Sequence, residues 1–393
     1  DCSGRVAVVH NGIIENYQEL RERLSVRHRF TSETDTEVIP HLIEEYLEKG
    51  HPLEEAVRLA LQDITGAYAI AVVFSGEPDK VVGARRDSPL VAGVGNGSLF
   101  LASDALAFLQ HTDKVIFPED GEMVILNGNG GLTCLNAAGE PVARTPTPLG
   151  WGYQEVSKKG HDFFMRKEIL EQPETMRYAL QQDHEYMNSL AMDILRARQV
   201  VITACGTSRF AALVGRYLFS RLAGKFCDVV MASEFHYFSE SIDKNTLVIA
   251  VSQSGETADV VQGVKQARAN GAQILSLVNT PGSHLARLSH RVVHLNCGPE
   301  ICVAATKSFV NQLVVFYLLA SAMMSRLNGI VHTIEDISHL VETNIRETED
   351  IVRAVAQATH HKEHFYYIAR GINFAIAVEG ALKVKELAYI HAE

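Results

Sequence analysis

The stretch Ser252-Gln253-Ser254-Gly255-Glu256-Thr257 decides the fold of the larger part of this chain. It follows an apolar run over 247–251 and precedes a helical pattern over 258–270. A strand, a hydroxyl-rich turn and a helix in this order form a phosphate cradle, because the helix N-terminus offers unpaired N–H groups and the positive end of its dipole. Ordinary helix capping would explain a single Ser or Thr. Four hydroxyl or amide side chains in one loop favour a bound ligand.

A second loop of the same kind lies upstream. The residues 199–204 predict a strand, Cys205-Gly206-Thr207-Ser208 follow it, and a helical pattern covers 209–222. In an open parallel sheet, ligands bind beyond the carboxyl ends of the strands. The two loops are therefore predicted to converge on one phosphate.

Composition narrows the function classes. The chain has 393 residues, which favours two or three domains, and a net charge of -11, which argues against nucleic acid as a partner. No apolar stretch reaches membrane-spanning length, and no secretory signal is found. The six cysteines show no CxxC pair and no metal-finger spacing, so reduced cytosolic thiols are expected. The sequence thus predicts a cytoplasmic protein with no membrane partner, no metal and no cofactor.

The pattern of elements divides the chain into four segments. Residues 1–147 mix strands and helices without strict alternation, which is typical of an α+β domain, and 148–189 form a polar helical connector. Strands and helices alternate over 190–330, which predicts a doubly wound parallel sheet. From 331 a new domain begins, in which a strand over 366–371 and a helix over 374–389 repeat the earlier unit. The chain begins at Asp1 and stops just after a helix, so an internal piece of a longer protein is expected.

These motifs resemble one known family. The loops 205–208 and 252–257 resemble the sugar isomerase (SIS) domain, and the runs 379–387 and 389–393 resemble the second SIS domain of the glutamine–fructose-6-phosphate aminotransferases. The stretches 10–16 and 32–37 resemble the class II glutaminase domain of the same family. The resemblance covers essentially the whole chain. It implies a partial class II, N-terminal-nucleophile type glutaminase over 1–147, then a first SIS domain over 190–330 and a truncated second one over 331–393.

The resemblance also implies an activity. The front domain would hydrolyse glutamine and supply ammonia through a channel to the sugar site. There fructose 6-phosphate would be aminated and isomerised to glucosamine 6-phosphate, the first step of hexosamine synthesis. The implied partners are glutamine, the two sugar phosphates and a second copy of the chain in a homodimer.

Three residues carry the implied glutaminase chemistry. Asn11 and Gly12 would form the oxyanion hole, in which a side-chain amide and a backbone N–H donate to the charge that grows in the transition state. Asp35 would hold the α-amino group of glutamine. Taken alone, Asn11-Gly12 would predict a hairpin turn.

The resemblance assigns the sugar site as well. Its phosphosugar ligands would be Thr207, Ser208, Ser252, Gln253, Ser254 and Thr257, and Val303 and Ala305 would line the sugar. Glu379, Lys383 and Glu386 are spaced four and three apart, so they share one helix face. A solvated Glu–Lys pair is the common explanation of such spacing. The resemblance implies instead that Glu386 moves a proton between two sugar carbons while Glu379 and Lys383 support it.

The chain departs from the family pattern in three ways. Cys2 is not the expected glutaminase nucleophile, because Asp1 precedes it and the usual Gly-Ile-Val does not follow it. The family's ring-opening histidine and Schiff-base lysine would lie beyond Glu393. Ala305 stands where relatives usually have Ser. We therefore expect this stretch to bind a sugar phosphate without turning it over.

Two other classes share some of these motifs. A phosphosugar-binding regulator with SIS domains would bring a helical DNA-binding module, whereas the front of this chain is acidic and rich in strands. A phosphoribosyl-pyrophosphate amidotransferase would share the glutaminase but would need a phosphoribosyl-binding domain in place of the SIS loops.

Overall fold

The computed structural model describes residues 1–128 and 130–393, which form two compact units, Asp1–Tyr153 and Gln154–Glu393. In the first unit the strands are β1 (Val6–Ile14), β2 (Gly66–Phe74), β3 (Lys80–Arg86), β4 (Val91–Val94), β5 (Leu99–Ala102), β6 (Lys114–Ile116), β7 (Met123–Asn127), β8 (Leu132–Leu135), β9 (Pro141–Val142) and β10 (Thr147–Pro148). Its helices are α1 (Tyr17–Leu24), α2 (Val38–Glu48) and α3 (Leu53–Gln62), with 3₁₀ turns at Asp35–Glu37 and Ala105–Ala107.

Three layers make up the first unit. One antiparallel sheet has the order β1-β2-β3-β7-β8-β9, and a second has the order β10-β6-β4-β5. Successive side chains of a strand point to opposite faces. Met123 and Ile125 of β7 accordingly join the core beneath helices α1 to α3, whereas Val124 and Leu126 pack towards the second sheet. This mixed arrangement confirms the predicted α+β class.

The first strand extends past the apolar run with which it begins. The apolar run ends at His10, yet β1 continues through Asn11 and Gly12 and pairs with β2 along its whole length, from Val6 opposite Phe74 to Ile14 opposite Gly66. The hairpin turn that Asn11-Gly12 would form in isolation is absent from this described segment. Pairing with a neighbouring strand has overridden the local turn preference.

The second unit is built on a parallel sheet. Helix α4 (Tyr153–Val156) precedes α5 (Phe164–Ala179) and α6 (His184–Arg196). The sheet elements are β11 (Gln199–Ala204), α7 (Gly206–Ala223), β12 (Asp228–Met231), β13 (Thr246–Ser252), α8 (Ala258–Ala269), β14 (Gln273–Val278), α9 (His284–Leu288) and β15 (Arg291–His294). All five strands are parallel in the order β12-β11-β13-β14-β15. The predicted doubly wound parallel sheet is confirmed.

Helices cover both faces of this sheet. Helix α10 (Lys307–Met323) packs on α7, where Phe219 and Phe316 meet edge to face. On β13, Ile249 belongs to that core, whereas Val248 and Ala250 belong to the core on the α8 face. Helices α5 and α6 add Met176 and other apolar side chains to the α10 side, so the stretch 148–189 carries buried residues of the second unit.

The last part of the chain differs from its prediction. Helix α11 (Leu327–Thr359) leads to β16 (His364–Phe365), α12 (Ile372–Ala388) and β17 (His391–Ala392). The strand predicted from Tyr366 is wrong, because the described strand is His364–Phe365, which pairs with β17; beyond it the Tyr367 N–H donates to the Glu393 carbonyl at 2.6 Å. A strand needs a neighbour along its length, and within the described residues β17 is the one that β16 has. None of the described helices is both long and apolar enough to span a membrane.

Candidate functional site

The hydroxyl-rich loop after β13 requires a glycine. Gly255 has φ of +69°, and a Cβ on it would lie 2.1 Å from the Ser283 hydroxyl oxygen. The backbone also holds this turn in place, because the Leu285 N–H donates to the Gly255 carbonyl at 2.9 Å and the Asn279 N–H donates to the Gln253 carbonyl at 2.9 Å. The loop is therefore packed tightly against the segment that follows β14.

The hydroxyl groups of this loop bond to one another. Ser252 is buried, and its hydroxyl oxygen lies 2.9 Å from that of Thr257 and accepts from the Gly255 N–H at 3.0 Å. Ser254 accepts from the Glu256 N–H at 3.1 Å. Thr257 occupies the N-cap position of α8 but makes no side-chain capping bond. Ordinary capping thus does not account for the Thr257 hydroxyl, and the loop is pre-organised at the positive end of α8.

The second predicted loop lies at the same edge of the sheet. β11 pairs in parallel with β13, so both strands end on one side. Helix α7 begins at Gly206, which places Thr207 and Ser208 in its first turn rather than in a loop. The thiol of Cys205 lies 3.9 Å from a carboxylate oxygen of Asp259 in the first turn of α8. The N-termini of α7 and α8 are therefore close together.

A polar cluster joins α7 to α12. The Thr207 hydroxyl lies 3.1 Å from Glu379 Oε1, and Lys383 Nζ lies 3.0 Å from the Thr207 oxygen. The same ammonium group is 3.4 Å from Glu379 Oε1 and 2.6 Å from Glu386 Oε2. The three charged residues predicted to share one face of a helix do so, and that face meets the N-terminus of α7.

The two carboxylates of the cluster differ in their surroundings. Glu379 is 6% exposed, and its Oε2 has no hydrogen-bond partner within the described part of the chain. Burial raises the pKa of Glu379, although Lys383 and the Thr207 hydroxyl partly oppose this change. The Glu386 side chain is more exposed and has the closer contact with Lys383. Glu379 is therefore shielded from water, whereas Glu386 lies at the surface of the site.

The segment after β15 reaches the same region. Val303 is fully exposed, Ala305 is half-buried, and Val303 lines an apolar groove of about 870 Å³ together with Leu387 of α12. Sequence reasoning missed three buried polar residues that hold this segment and the helices α7 and α10. Glu168 of α5 accepts from the Ile301 and Cys302 N–H groups at 2.7 and 3.2 Å.

The other two missed residues act at α10 and α7. Buried Glu300 accepts from the Thr306 N–H at 2.8 Å and from the Ser308 N–H and hydroxyl, so it caps the start of α10. The buried Gln312 amide donates to the Ser208 hydroxyl at 2.9 Å. The partners of Glu300 lie 6 and 8 positions away and the partner of Gln312 lies 104 positions away, separations that no helix, strand or turn period predicts.

The first unit holds the residues predicted to bind glutamine. Gly12 has φ of +138°, and a Cβ there would lie 2.1 Å from the Ala67 carbonyl oxygen, so only glycine fits. Asn11 beside it is exposed. The Asp35 carboxylate accepts from the Ile14 N–H at 2.7 Å, which places Asp35 next to the end of β1 that carries Asn11 and Gly12.

The loop that carries Asp35 is held by Glu37. Burial would raise the pKa of Glu37, but hydrogen bonds from the side chains and N–H groups of Ser32 and Thr31 outweigh it and lower this pKa to about 2. His10 lies 3.0 Å from the Thr36 hydroxyl, and burial lowers the pKa of this histidine. The turn is thus fixed on both sides of Asp35.

Comparison with known proteins identifies a domain family in each of the two units. Residues 1–110 match the glutamine amidotransferase domain family, and residues 193–322 match the SIS domain family. The chain is also similar to a solved structure, the C-terminal domain of glucosamine-fructose-6-phosphate aminotransferase from Francisella tularensis, with a TM-score of 0.55 and 29% sequence identity. The similarity covers 60% of this chain and 70% of the solved chain. The two domain matches show that the protein combines a glutamine amidotransferase domain with an SIS domain.

Similarity to whole proteins narrows the class further. The chain is 45% identical over its full length to the glutamine–fructose-6-phosphate aminotransferase of Methanothermobacter thermautotrophicus, covering 66% of that protein. It is 44% identical to the protein of the same name from Thermococcus kodakarensis, covering 67%. The chain belongs to the glutamine–fructose-6-phosphate aminotransferase family. It spans about two thirds of the length of these curated relatives.

Proposed function

We propose that the protein transfers the amide nitrogen of glutamine to fructose 6-phosphate and isomerises the product to glucosamine 6-phosphate. The observation that carries this proposal is the cluster in which Lys383 contacts Thr207, Glu379 and Glu386 beside the N-termini of α7 and α8. It combines an anion-binding edge with a carboxylate and an ammonium group. The names of the relatives support the same substrates.

Binding of the sugar phosphate is assigned to the two helix N-termini. Thr207 and Ser208 on α7, and the loop 252–257 before α8, present hydroxyl groups and N–H groups at one edge of the sheet. Such positions favour a phosphate because the helix dipole and the donors act together. Val303 and Ala305 would lie against the sugar carbons.

Proton transfer is assigned to Glu386. Isomerisation requires a base to remove a proton from one sugar carbon and return it to the neighbouring carbon. The Glu386 carboxylate lies 2.6 Å from Lys383 Nζ, and this contact holds it in position to accept a proton. Glu379 would hold Lys383 in place through the 3.4 Å contact and the shared Thr207 hydroxyl.

The first unit would supply the ammonia. Asn11 and the Gly12 N–H would donate to the oxyanion formed when the glutamine amide is attacked, and Asp35 would bind the α-amino group. The tight packing of Gly12 on the Ala67 carbonyl and the fixed turn around Asp35 support this assignment.

Calorimetric titration of the chain with fructose 6-phosphate tests the binding site. Replacement of Ser254 by Ala or of Thr257 by Val should weaken binding by roughly 10- to 100-fold, the effect of losing a hydrogen bond to a charged group. Ser241→Ala is the matched control, because that exposed hydroxyl donates to the Phe238 carbonyl in a 3₁₀ turn of the same unit. Equal affinity of all three variants would remove the phosphate assignment.

Glucosamine 6-phosphate formation by the intact protein tests the proton-transfer role. Glu386→Gln should abolish the isomerisation while leaving sugar binding within a few-fold of the unmodified protein. Glu342→Gln is the control, since that exposed carboxylate pairs with Arg346 on α11. Undiminished turnover by the Glu386 variant would refute the role.

Assembly as a homodimer is part of the proposal. It is supported by the family resemblance and by the exposed apolar side chains along α11, among them Leu340 and Ile351. Light scattering during gel filtration of the intact protein should give twice the chain mass, and a single-chain mass would contradict it.

A further inference from the structure

Four metal-binding side chains meet in the first unit, away from Asn11 and Gly12. They are Cys2, His28, His41 and Glu44, and one ligand atom from each lies within 4.8 Å of all the others. His28, His41 and Glu44 are 8%, 2% and 3% exposed, whereas Cys2 lies at the surface. None of them belongs to the sites described above.

The spacing of these atoms fits tetrahedral coordination. His28 Nδ1 lies 3.1 Å from Glu44 Oε2, His41 Nδ1 lies 3.6 Å from the same oxygen, and Cys2 Sγ lies 3.9 Å from His41 Nδ1. For Zn²⁺ with bonds of about 2.0 to 2.3 Å, adjacent ligand atoms of a tetrahedron are roughly 3.3 to 3.7 Å apart. Small side-chain shifts would bring all four atoms to those distances.

The imidazole rings are otherwise poorly satisfied. Nε2 of His28 and Nε2 of His41 are buried and have no hydrogen-bond partner in the described structure, and the 3.1 Å approach of His28 Nδ1 to Glu44 lacks the angles of a hydrogen bond. A buried polar atom without a partner is costly. The rings are only 4.8 Å apart between centroids, so protonating both to form ion pairs with nearby carboxylates would place two cations together.

The surroundings hold the ligand atoms in place. The Arg29 N–H donates to Cys2 Sγ at 3.1 Å, and the Cys2 and Ser3 N–H groups donate to Glu44 at 3.1 and 3.0 Å. These bonds fix the position of the Glu44 carboxylate beside the two imidazole rings.

Further carboxylates face the outer nitrogens of both rings. Glu37 Oε1 is 3.7 Å from Nε2 of His41, and Glu45 Oε1 is 3.8 Å from Nε2 of His28. A carboxylate behind a metal-bound histidine is the usual arrangement that fixes its tautomer and orientation.

We propose that Cys2, His28, His41 and Glu44 form a structural Zn²⁺ site. One thiolate and one carboxylate neutralise the ion, and four protein ligands leave no position open for catalysis. The ion would tie residues 1–3 and the segment before Phe30 to α2. Because Glu37 contacts both His41 and the turn at Thr31, the site would stiffen the loop that presents Asp35.

The ligands come from three separate segments, which explains why cysteine spacing did not predict a metal. His41 and Glu44 share one face of α2, while Cys2 precedes β1 and His28 follows α1. Only the fold brings them together.

Metal titration of the full chain tests the site without reference to sugar or glutamine. After treatment with a chelator, the protein should bind one equivalent of Zn²⁺, and Co²⁺ should give the intense visible bands of a tetrahedral ion together with a thiolate charge-transfer band. Cys2→Ser and His28→Gln should each weaken Zn²⁺ binding by at least about 100-fold. Cys302→Ser, a half-exposed cysteine of the second unit, is the matched control and should bind as the unmodified chain does.

The outcomes separate the alternatives clearly. Absence of stoichiometric Zn²⁺ binding by the unmodified chain, or a Co²⁺ spectrum without a thiolate band, would overturn the proposal and leave a network of buried ion pairs. If His28→Gln does not fold, the surface variant Cys2→Ser and the Co²⁺ spectrum of the unmodified chain decide the question. Equal loss of binding in Cys302→Ser would also refute the site.

Discussion

Replacement of Thr207 by Val tests the contact between α7 and α12. Valine has nearly the shape of threonine but lacks the hydroxyl that lies between Glu379 and Lys383. The change therefore removes two hydrogen bonds to charged groups without opening a cavity.

The expected loss of stability depends on which contacts the two charged groups keep after the substitution. Lys383 keeps Glu386 at 2.6 Å and Glu379 at 3.4 Å, so it loses little. Glu379 is almost fully buried and loses its hydroxyl donor, while its Oε2 already has no partner within the described residues. A hydrogen bond to a charged group contributes about 1.5 to 3 kcal/mol. We expect α12 to be destabilised by about 2 kcal/mol, which corresponds to roughly a 30-fold change in its opening equilibrium.

Hydrogen exchange measured by mass spectrometry gives the local readout. Amides of α12 should exchange roughly 30-fold faster in the variant, because local opening governs exchange, while amides of α2 in the first unit should be unchanged. Thr343→Val is the control, since that exposed hydroxyl only donates to the His339 carbonyl on α11. Identical α12 protection in the two variants would refute the reasoning.

Three further predictions concern stability. In urea unfolding, Gly255→Ala should destabilise the second unit by about 3 kcal/mol, because Gly255 has a positive φ and an added Cβ would clash with Ser283. Gly224 also has a positive φ but faces open space, so Gly224→Ala should destabilise the unit by about 1 kcal/mol. Equal losses of stability in the two variants would contradict the packing argument. Because the pKa of Glu379 is raised, its contribution to stability is complete below pH 4.5 and is lost as the pH rises through the pKa of the folded state. Glu379→Gln should therefore flatten the fall in stability above pH 4.5. An unchanged pH profile of stability would contradict this prediction. The lowered pKa of Glu37, about 2, has the opposite effect on the pH dependence of stability. Its contribution is at most about 3 kcal/mol, is present above pH 4.5 and is lost towards pH 2. In thermal unfolding, Glu37→Gln should therefore destabilise the first unit at pH 7 but not near pH 2.

Much of the fold is encoded locally. The strand Gln199–Ala204 has the predicted bounds, because an apolar run flanked by polar residues determines a short element directly. The Ser252 loop was recognisable because a glycine and several hydroxyl residues stand between a strand and a helix. The failures lie where strand pairing determines the structure. β1 runs on through Asn11 and Gly12 because β2 lies beside it, whereas beyond Phe365 the described residues continue the pairing no further than the bond from the Tyr367 N–H to the Glu393 carbonyl.

The sequence by itself determined which residues could act together on one element. It placed Glu379, Lys383 and Glu386 on one helix face, since helical spacing is a local property. Only the tertiary structure decided that this face meets Thr207, 172 positions from Glu379, and that Cys2 meets His41. It also decided which carboxylate is buried, and hence that the pKa of Glu379 is raised. Contacts across the fold and the loss of water around a charge depend on how separate segments pack, and no local pattern encodes that packing.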